Sequence, residues 1–412
     1  MSQRVPTTHA ALRGAQLING ALALGGEPLT RLAQRVGQTP FYAYDRAAIT
    51  RRVAELRAAL PSGISLHYAV KANPMPAIID HLAGLVDGLD VASAGELRLA
   101  LDTGIGPDTI SFAGPGKRDA ELRTAVASGV TVNAESLGEI ERLVEAGRVV
   151  GQRPRIAIRV NPDFELKSSG MKMGGGPRAF GIDAERVPEA LRLIQANDVH
   201  FRGFHIFTGS QNLRAESLIE AHAATFELAE RLAAQAPGPV EVLNIGGGFG
   251  IPYFPGDEPV DIDAVGAALD ERVAAYQAAH PETDIVIELG RYLVGEAGVY
   301  ACRVLERKVS RGQLFLITDG GLHHHLAASG NFGQIIRKNY PVCVADRVWA
   351  REPETATVVG PLCTPLDVLA DRAELAPAEP GDLVCVLQSG AYGLTASPLR
   401  FLGHPEPLEI LV

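Results

Sequence analysis

Leu66-His-Tyr-Ala-Val-Lys71-Ala-Asn-Pro74 places a lysine at the end of an apolar, strand-forming run. The run predicts a strand over Ser65–Lys71, bounded by Asn73 and Pro74. A lysine there either reaches water from the strand tip or has a chemical task. Burial disfavours the ammonium form and lowers its pKa from the free value of about 10.4. A desolvated amine is then a nucleophile able to form a Schiff base with a carbonyl. Both readings stand on this stretch alone.

Outward from it, runs of the same kind recur at Gly88–Ser93, Ile110–Gly114, Val130–Ala134, Arg155–Asn161, Phe201–Phe207, Val240–Gly246 and Asp284–Gly290. Each is short, rich in Val, Ile or Phe, and bounded by Gly, Pro or Asn. Stretches with apolar residues at three- and four-residue spacing fill the gaps, as at Glu216–Ala236 and Ile262–His280. Eight strands each trailed by a helix describe a parallel (β/α)8 TIM barrel of the α/β class. A doubly wound open sheet alternates in the same way but usually with fewer strands, so the count favours the barrel.

After Arg291 the texture changes. Val299–Lys308, Gln313–Thr318, Ala356–Val359 and Asp382–Gln388 are short β-type runs separated by turn residues, predicting a second, mainly antiparallel β domain. The early strand Pro40–Asp45 is expected to join that sheet. The predicted organisation is an N-terminal segment, 1–45, lending a strand to the β domain, then a barrel, 46–291, then the β domain, 292–412.

A length of 412 residues suggests two or three domains, and 46% apolar with 21% charged residues is the balance of a soluble globular enzyme. The net charge of −10 argues against a nucleic-acid or anionic-membrane partner. Cys302, Cys343, Cys363 and Cys385 form no C-x-x-C pair, so neither a zinc site nor a disulfide framework is indicated, and free thiols fit a reducing cytosol. Met1-Ser-Gln-Arg-Val-Pro-Thr-Thr shows no signal pattern, and no stretch approaches 18 apolar residues. The expectation is a cytoplasmic protein.

Barrel chemistry gathers at the carboxyl ends of the strands. Lys71, Asp90, Ser93, Asn133, Asn161, His205, Gly246–Gly248 and Glu288 are therefore the positions to weigh. Leu243-Asn-Ile-Gly-Gly-Gly-Phe-Gly250 offers bare backbone to a phosphate. It is no dinucleotide fingerprint: after Gly246 and Gly248 the third glycine would fall on Ile251. A tight turn without a ligand is the alternative. Glu288-Leu-Gly-Arg291 puts an acid where it could keep a ring nitrogen protonated, with an arginine for a phosphate or carboxylate, or else a local ion pair. His205 could stack on a ring, transfer protons or pack in the core; Thr208, Gly209 and Ser210 behind it offer donors for an anion. Cys363, between turn residues in Gly360-Pro-Leu-Cys-Thr-Pro-Leu-Asp367, is either an acid or a small packed thiol. His323-His-His325 lacks a further ligand at suitable spacing, so no metal is expected.

Together these segments resemble the fold-type III pyridoxal-phosphate decarboxylases, the family of diaminopimelate, ornithine and arginine decarboxylases. The stretches that carry it are HYAVKANP (67–74), DVASAGEL (90–97), RVNP (159–162), GFHIFTGSQ (203–211), NIGGGFG (244–250), ELGRYLV (288–294), GPLCTPLD (360–367) and GAYG (390–393). The resemblance implies that Lys71 holds pyridoxal 5'-phosphate as an internal aldimine and that His205 stacks on its ring. Ser210, Gly247, Gly248, Gly290, Arg291 and Tyr392 would line the cofactor and its phosphate. Glu288 would contact the pyridinium nitrogen, making the ring an electron sink for the carbanion left by CO2 in a quinonoid state. Asp90 and Glu96 match acidic positions of the same site. Cys363 would come from the partner subunit of a head-to-tail homodimer and protonate that carbanion.

More narrowly, FELKSSGMKMGGGPRAFGID (164–183) and TDGGLHHHLAASGNFGQIIRKNYPV (318–342) resemble the branch associated with exosortase-A systems in bacteria; a related branch acts on carrier-tethered amino acids. Thr364 stands where diamine-forming and diaminopimelate enzymes usually carry an acid for the distal amine. Such an acid would contribute about 1.5–3 kcal/mol through a charge-assisted hydrogen bond. Arg337 and Lys338 add positive charge instead, and Arg337, Tyr340, Thr364 and Arg291 are the expected substrate contacts. The loop after His205 is two residues longer than the usual H-x-G-S. An acidic or carrier-bound amino acid is the expected substrate. Diaminopimelate decarboxylation proper and a fold-type III racemase remain alternatives, and so do a non-catalytic cofactor carrier and an aldolase-type barrel.

Overall fold

The computed structural model describes residues 9–164, 171–172, 174–334 and 336–412. Part of the 164–183 stretch quoted above therefore lies outside the described residues. The chain sorts into two compact units. One comprises Arg51–Ile251 with Pro259–Leu293; the other takes the residues up to Thr50, Pro252–Glu258 and Val294–Val412.

The first unit is a closed barrel. Its strands, in chain order, are Ile64–Ala69, Gly88–Val91, Ile110–Phe112, Thr131–Ala134, Arg155–Asn161, His200–Ile206, Val242–Gly247 and Asp284–Leu289. Each pairs in parallel with the next, and the eighth returns to the first through Ile285–Ile64 to Leu289–Tyr68. Barrel strands bury both faces, so Leu66, Leu89, Ile158, Phe204, Leu243 and Ile287 are all enclosed. Side-chain caps start the outer helices: Ser93 Oγ accepts from Glu96 N, Ser136 Oγ from Glu139 N, and Asp261 from Ala264 N. Helices Ala215–Ala233 and Ile262–Ala279 lie close to the predicted spans.

One local expectation fails. The first strand stops at Ala69, and Lys71 sits in a single 3-10 turn, Val70–Ala72. Asn73 ends that turn in extended backbone ahead of Pro74. The turn brings the backbone against the end of the eighth strand: a Cβ on Gly290 would meet Ala72 Cβ at 2.8 Å and Ala69 O at 3.1 Å. Only glycine permits that approach.

In the second unit the long strand Gly298–Ser310 is central. It pairs antiparallel with Phe41–Tyr44, Leu383–Val386 and Gln313–Thr318. Val342–Val344 and Val368–Leu375 add further antiparallel pairings, whereas Gln313–Thr318 with Glu354–Val359, and Leu408–Leu411 with Phe41–Tyr44, run parallel. The sheet is thus mixed with an antiparallel majority, and it includes the early strand as expected. Cys343 and Cys385 pack beside Leu29, Leu32, Phe41 and Val299 in its core. Cys302 is also buried, and Cys363 is the exposed cysteine.

Candidate active site

The first, sixth and eighth barrel strands deliver a cluster of ionisable groups to the carboxyl end of the barrel. Lys71 Nζ lies 3.6 Å from Glu288 Oε1, and His205 Nε2 lies 3.1 Å from Glu288 Oε2. Glu288 and His205 are buried, but 41% of the Lys71 side chain is exposed. Of the two readings that the sequence left open, a lysine reaching water or a desolvated amine, the exposure fits the first: the 3-10 turn lifts Lys71 clear of the strand, and its neighbourhood is set by charge. Burial alone would push the Glu288 carboxyl upward. Lys71, then His205 and Arg159, outweigh that and hold it far below the usual carboxylate range.

Neither ring nitrogen of His205 makes a directed hydrogen bond among the described residues, the 3.1 Å approach to Glu288 being poorly aligned. A buried imidazole left with open hydrogen-bonding capacity is unusual, which makes His205 a candidate to face a ligand. Lys71 Nζ also stands 5.9 Å from the Phe207 ring centroid. Phe207 in turn lies against the glycine run, since a Cβ on Gly246 would come within 2.9 Å of its ring. Gly246 and Gly248 have φ of +71° and +78°, conformations favouring glycine. Side chains on Gly247 and Gly248 would strike Glu288 O at 2.3 Å and Gly209 O at 2.4 Å. The run is a bare backbone cradle beside Gly209–Ser210, a two-residue strand paired with Met171–Lys172. Arg291 begins the short helix after Gly290.

Asp90 lies deeper. His67 Nδ1 is 3.4 Å from Asp90 Oδ1, which also accepts from Ser111 Oγ, while Asp90 Oδ2 has no hydrogen-bond partner among the described residues. Burial lowers the His67 pKa, but Asp90 more than compensates, leaving it raised. Glu96 has a plain structural use: its backbone N–H donates to the Ser93 cap, and its carboxylate accepts at 2.7 Å from Ala92 N, the residue before that cap. Burial raises its pKa against the opposing pull of Ala92 N–H and Lys71.

The remaining candidates belong to the second unit. Tyr392 is half-buried at φ +53°, a strained conformation for a non-glycine residue of the kind that gathers at functional sites. Cys363 is exposed in its turn, and Thr364 Oγ1 accepts from Leu366 N at 3.3 Å. Arg337 is half-buried and donates to Val368 O. Tyr340 is buried, its ring 4.7 Å from that of Tyr253 and 5.6 Å from that of His325. His323–His325 are fully enclosed.

Phe207, His67 and Arg159 were not singled out from sequence. Arg159 is a register partner of His205, as His67 is of Glu288. Equal height on neighbouring parallel strands was the signal available for both. Arg159 is tied to Glu135 at 2.9 Å and faces Phe180. An amine, a depressed carboxylate, an imidazole with open valences and a glycine cradle fit a phosphorylated pyridine aldehyde.

A family model described as "Pyridoxal-dependent decarboxylase, pyridoxal binding domain" matches residues 46–295. The L-glutamyl-[BtrI acyl-carrier protein] decarboxylase of Niallia circulans is 42% identical over 395 residues, covering 93% of this chain and 90% of the relative. The diaminopimelate decarboxylase of Aquifex aeolicus is 34% identical over 400 residues, with 96% and 91% covered. The crystal structure of diaminopimelate decarboxylase from Helicobacter pylori complexed with L-lysine superposes with a TM-score of 0.80 at 27% identity, covering 93% of this chain and 94% of that one.

Proposed function

This chain belongs to the pyridoxal-dependent decarboxylases, and from that premise we propose that it decarboxylates an acidic amino acid carried on an acyl-carrier protein. The observation that carries the substrate reading is Thr364. Its hydroxyl is turned onto Leu366 N, so the position after Cys363 offers no charge to a distal ammonium group. The 42% identity with a decarboxylase named for a tethered glutamyl group points the same way.

Pyridoxal 5'-phosphate supplies the electron sink that lets a bond to the α-carbon break with loss of CO2. Lys71 is the amine to hold its aldehyde. Glu288, kept ionised by Lys71 and His205, would accept the ring N–H. His205 would stack on the ring, Gly247 and Gly248 with Ser210 and Arg291 would bind the phosphate, and Tyr392 is a further candidate for that role. Gly290 lets the Lys71 turn close on the eighth strand. Asp90 and Glu96 line the acidic flank, Glu96 acting through the helix cap. Cys363 donates the proton that replaces CO2.

Cys363 acts from a second copy in this reading. The turn that bears it is flanked by large exposed apolar residues: Leu366 at 59% exposure, and Phe332 at 43% on a segment bonded to it through Asn331. These side chains are available to a second copy, and a homodimer with shared sites would cover them. No helix among the described residues is long and apolar enough to cross a membrane; with its free thiols the enzyme fits the cytoplasm.

The test is release of CO2 from glutamyl-carrier protein, free glutamate and meso-diaminopimelate at equal concentration. Tethered substrate should be turned over with at least about tenfold higher kcat/KM, the ratio that 1.4 kcal/mol of differential binding gives. Equal or better turnover of meso-diaminopimelate overturns the reading.

A further inference from the structure

The Cys363 turn is held by a carboxylate that belongs to neither cofactor nor substrate. We infer that Asp367 is a positioning residue for Cys363, clamping the turn that presents the thiol through hydrogen bonds to Leu362 N and Leu322 N. The inference rests on the reading of Cys363 as proton donor.

Asp367 Oδ2 accepts from Leu362 N at 2.8 Å, and Oδ1 accepts from Leu322 N at 2.6 Å. Leu362 immediately precedes the thiol, so one oxygen fixes the entry to Cys363 and the other anchors it to a separate segment. The backbone closes the same loop: Gly360 N bonds Asp367 O at 3.1 Å, Thr364 N bonds Leu362 O at 2.8 Å, and Asp367 N bonds Thr364 O at 3.2 Å. Two glycines make room for the carboxylate. A Cβ on Gly321 would meet Oδ1 at 2.1 Å, and one on Gly360 would meet Oδ2 at 2.3 Å.

Energetics argue for geometry over stability. Asp367 is 2% exposed, and the groups that favour its charge are two backbone N–H donors and His404, with no arginine or lysine among them. A buried acid without a cation costs desolvation free energy that an apolar residue would avoid. Burial accordingly raises its pKa, against the two backbone N–H groups and His404. What the carboxylate gives in return is two directed bonds that fix a loop otherwise free to shift. Protonating one face of a carbon requires the donor within a few tenths of an ångström of its place, and a displacement near 1 Å can cost about 10²-fold in rate.

Three variants of the full-length holoenzyme test this. Asp367→Asn keeps the shape but turns an N–H donor toward backbone N–H groups. Asp367→Ala removes the clamp, and Gly321→Ala evicts the carboxylate without altering it. One readout is the alkylation rate of Cys363 by iodoacetamide, followed by peptide mass spectrometry, with the buried Cys302, Cys343 and Cys385 as internal controls. The others are kcat, KM and the stereochemical purity of product deuterated in D2O.

The expected result, in whichever variants fold, is a changed alkylation rate and a kcat lower by about 10- to 100-fold. KM should stay within about twofold, and deuterium should be scrambled between the two product faces. A folded variant with unchanged alkylation, kcat and stereochemistry overturns the inference, even if its Tm is lower, because a merely structural residue would behave that way. Cys363→Ala separates the two failures. If that variant turns over normally, the donor reading is wrong and the clamp falls with it. If it is inactive while the Asp367 variants are normal, only the clamp is wrong.

Discussion

At the scale of single residues, Glu288 is the pivot of the barrel mouth. Its carboxyl is depressed by Lys71 first and by His205 and Arg159 after it. A depressed acid favours the folded, charged state above its unfolded pKa of about 4.3, and that contribution is lost only as pH falls through the folded value. Ionised Glu288 should therefore persist throughout the neutral and mildly acidic range. Glu288→Gln keeps the shape and removes the charge, and it should lower kcat by about 10²-fold, the scale of a lost preorganised electrostatic contact. Steady-state assays of CO2 release at several pH values would check it. Lys71→Ala should abolish both the visible absorbance of the loaded enzyme and the lysine adduct trapped by borohydride. Lys71 also shows what sequence could and could not give. Its identity stood out because a cation is rare in an apolar run, but the run alone could not choose between an exposed and a desolvated amine. The strand ends two residues early to let Gly290 approach, a tertiary contact with no local signal.

Among elements, the third to fifth barrel strands are joined by charges that sequence reasoning passed over. Lys117 Nζ is buried and donates to Gly114 O, Asn133 O and Glu139 Oε1 at 2.8, 2.9 and 2.6 Å. Removing one partner of such a pair strands the other, so Lys117→Ala should destabilise by about 3–5 kcal/mol, measurable as a lower urea midpoint. Replacing Lys117 and Glu139 together by Met and Leu should cost much less. Nothing near Gly114-Pro-Gly-Lys117 distinguishes this lysine from a solvated loop residue, because its partners arrive from other elements. His323–His325 have a different signature. Burial first lowers His323 and His325 to about 3 and His324 to about 4. A histidine with depressed folded pKa stabilises fully above its unfolded value of about 6.5, and loses about 1.4 kcal/mol per pH unit as pH falls toward the folded value. Asp319, Asp367 and Glu409 are raised by burial and act in the opposite sense, within the carboxyl range. The melting temperature should thus decline as pH falls from 6.5 toward about 5, while His67, whose pKa Asp90 raises, withdraws its own contribution as pH rises above 6.5. Replacing His325 by Gln should flatten that slope, as a calorimetric pH series would show.

For the whole molecule, the alternation of strand and helix made the barrel legible from end to end, because each strand carries its own apolar run. The second unit was legible only as texture. Its sheet joins Phe41–Tyr44 to Leu408–Leu411 across nearly the full chain, and it gathers Pro252–Glu258 from between two barrel strands. Pairings of that sequence separation leave no periodic trace. Lys71 is carried by the barrel and Cys363 by the other unit. If each site takes Lys71 from one copy and Cys363 from its partner, a dimer of one Lys71→Ala chain and one Cys363→Ala chain has one intact site and one doubly damaged site. Random reassortment of equal amounts makes half the dimers mixed, so about a quarter of parental activity should return from two inactive preparations. A single-chain site predicts no recovery at any mixing ratio, since every chain then lacks one essential group. Titrating one variant against the other, after mild dissociation and reassociation, distinguishes the cases by the shape of the curve. Shared sites give a maximum at equimolar mixing, whereas self-contained sites give a flat baseline.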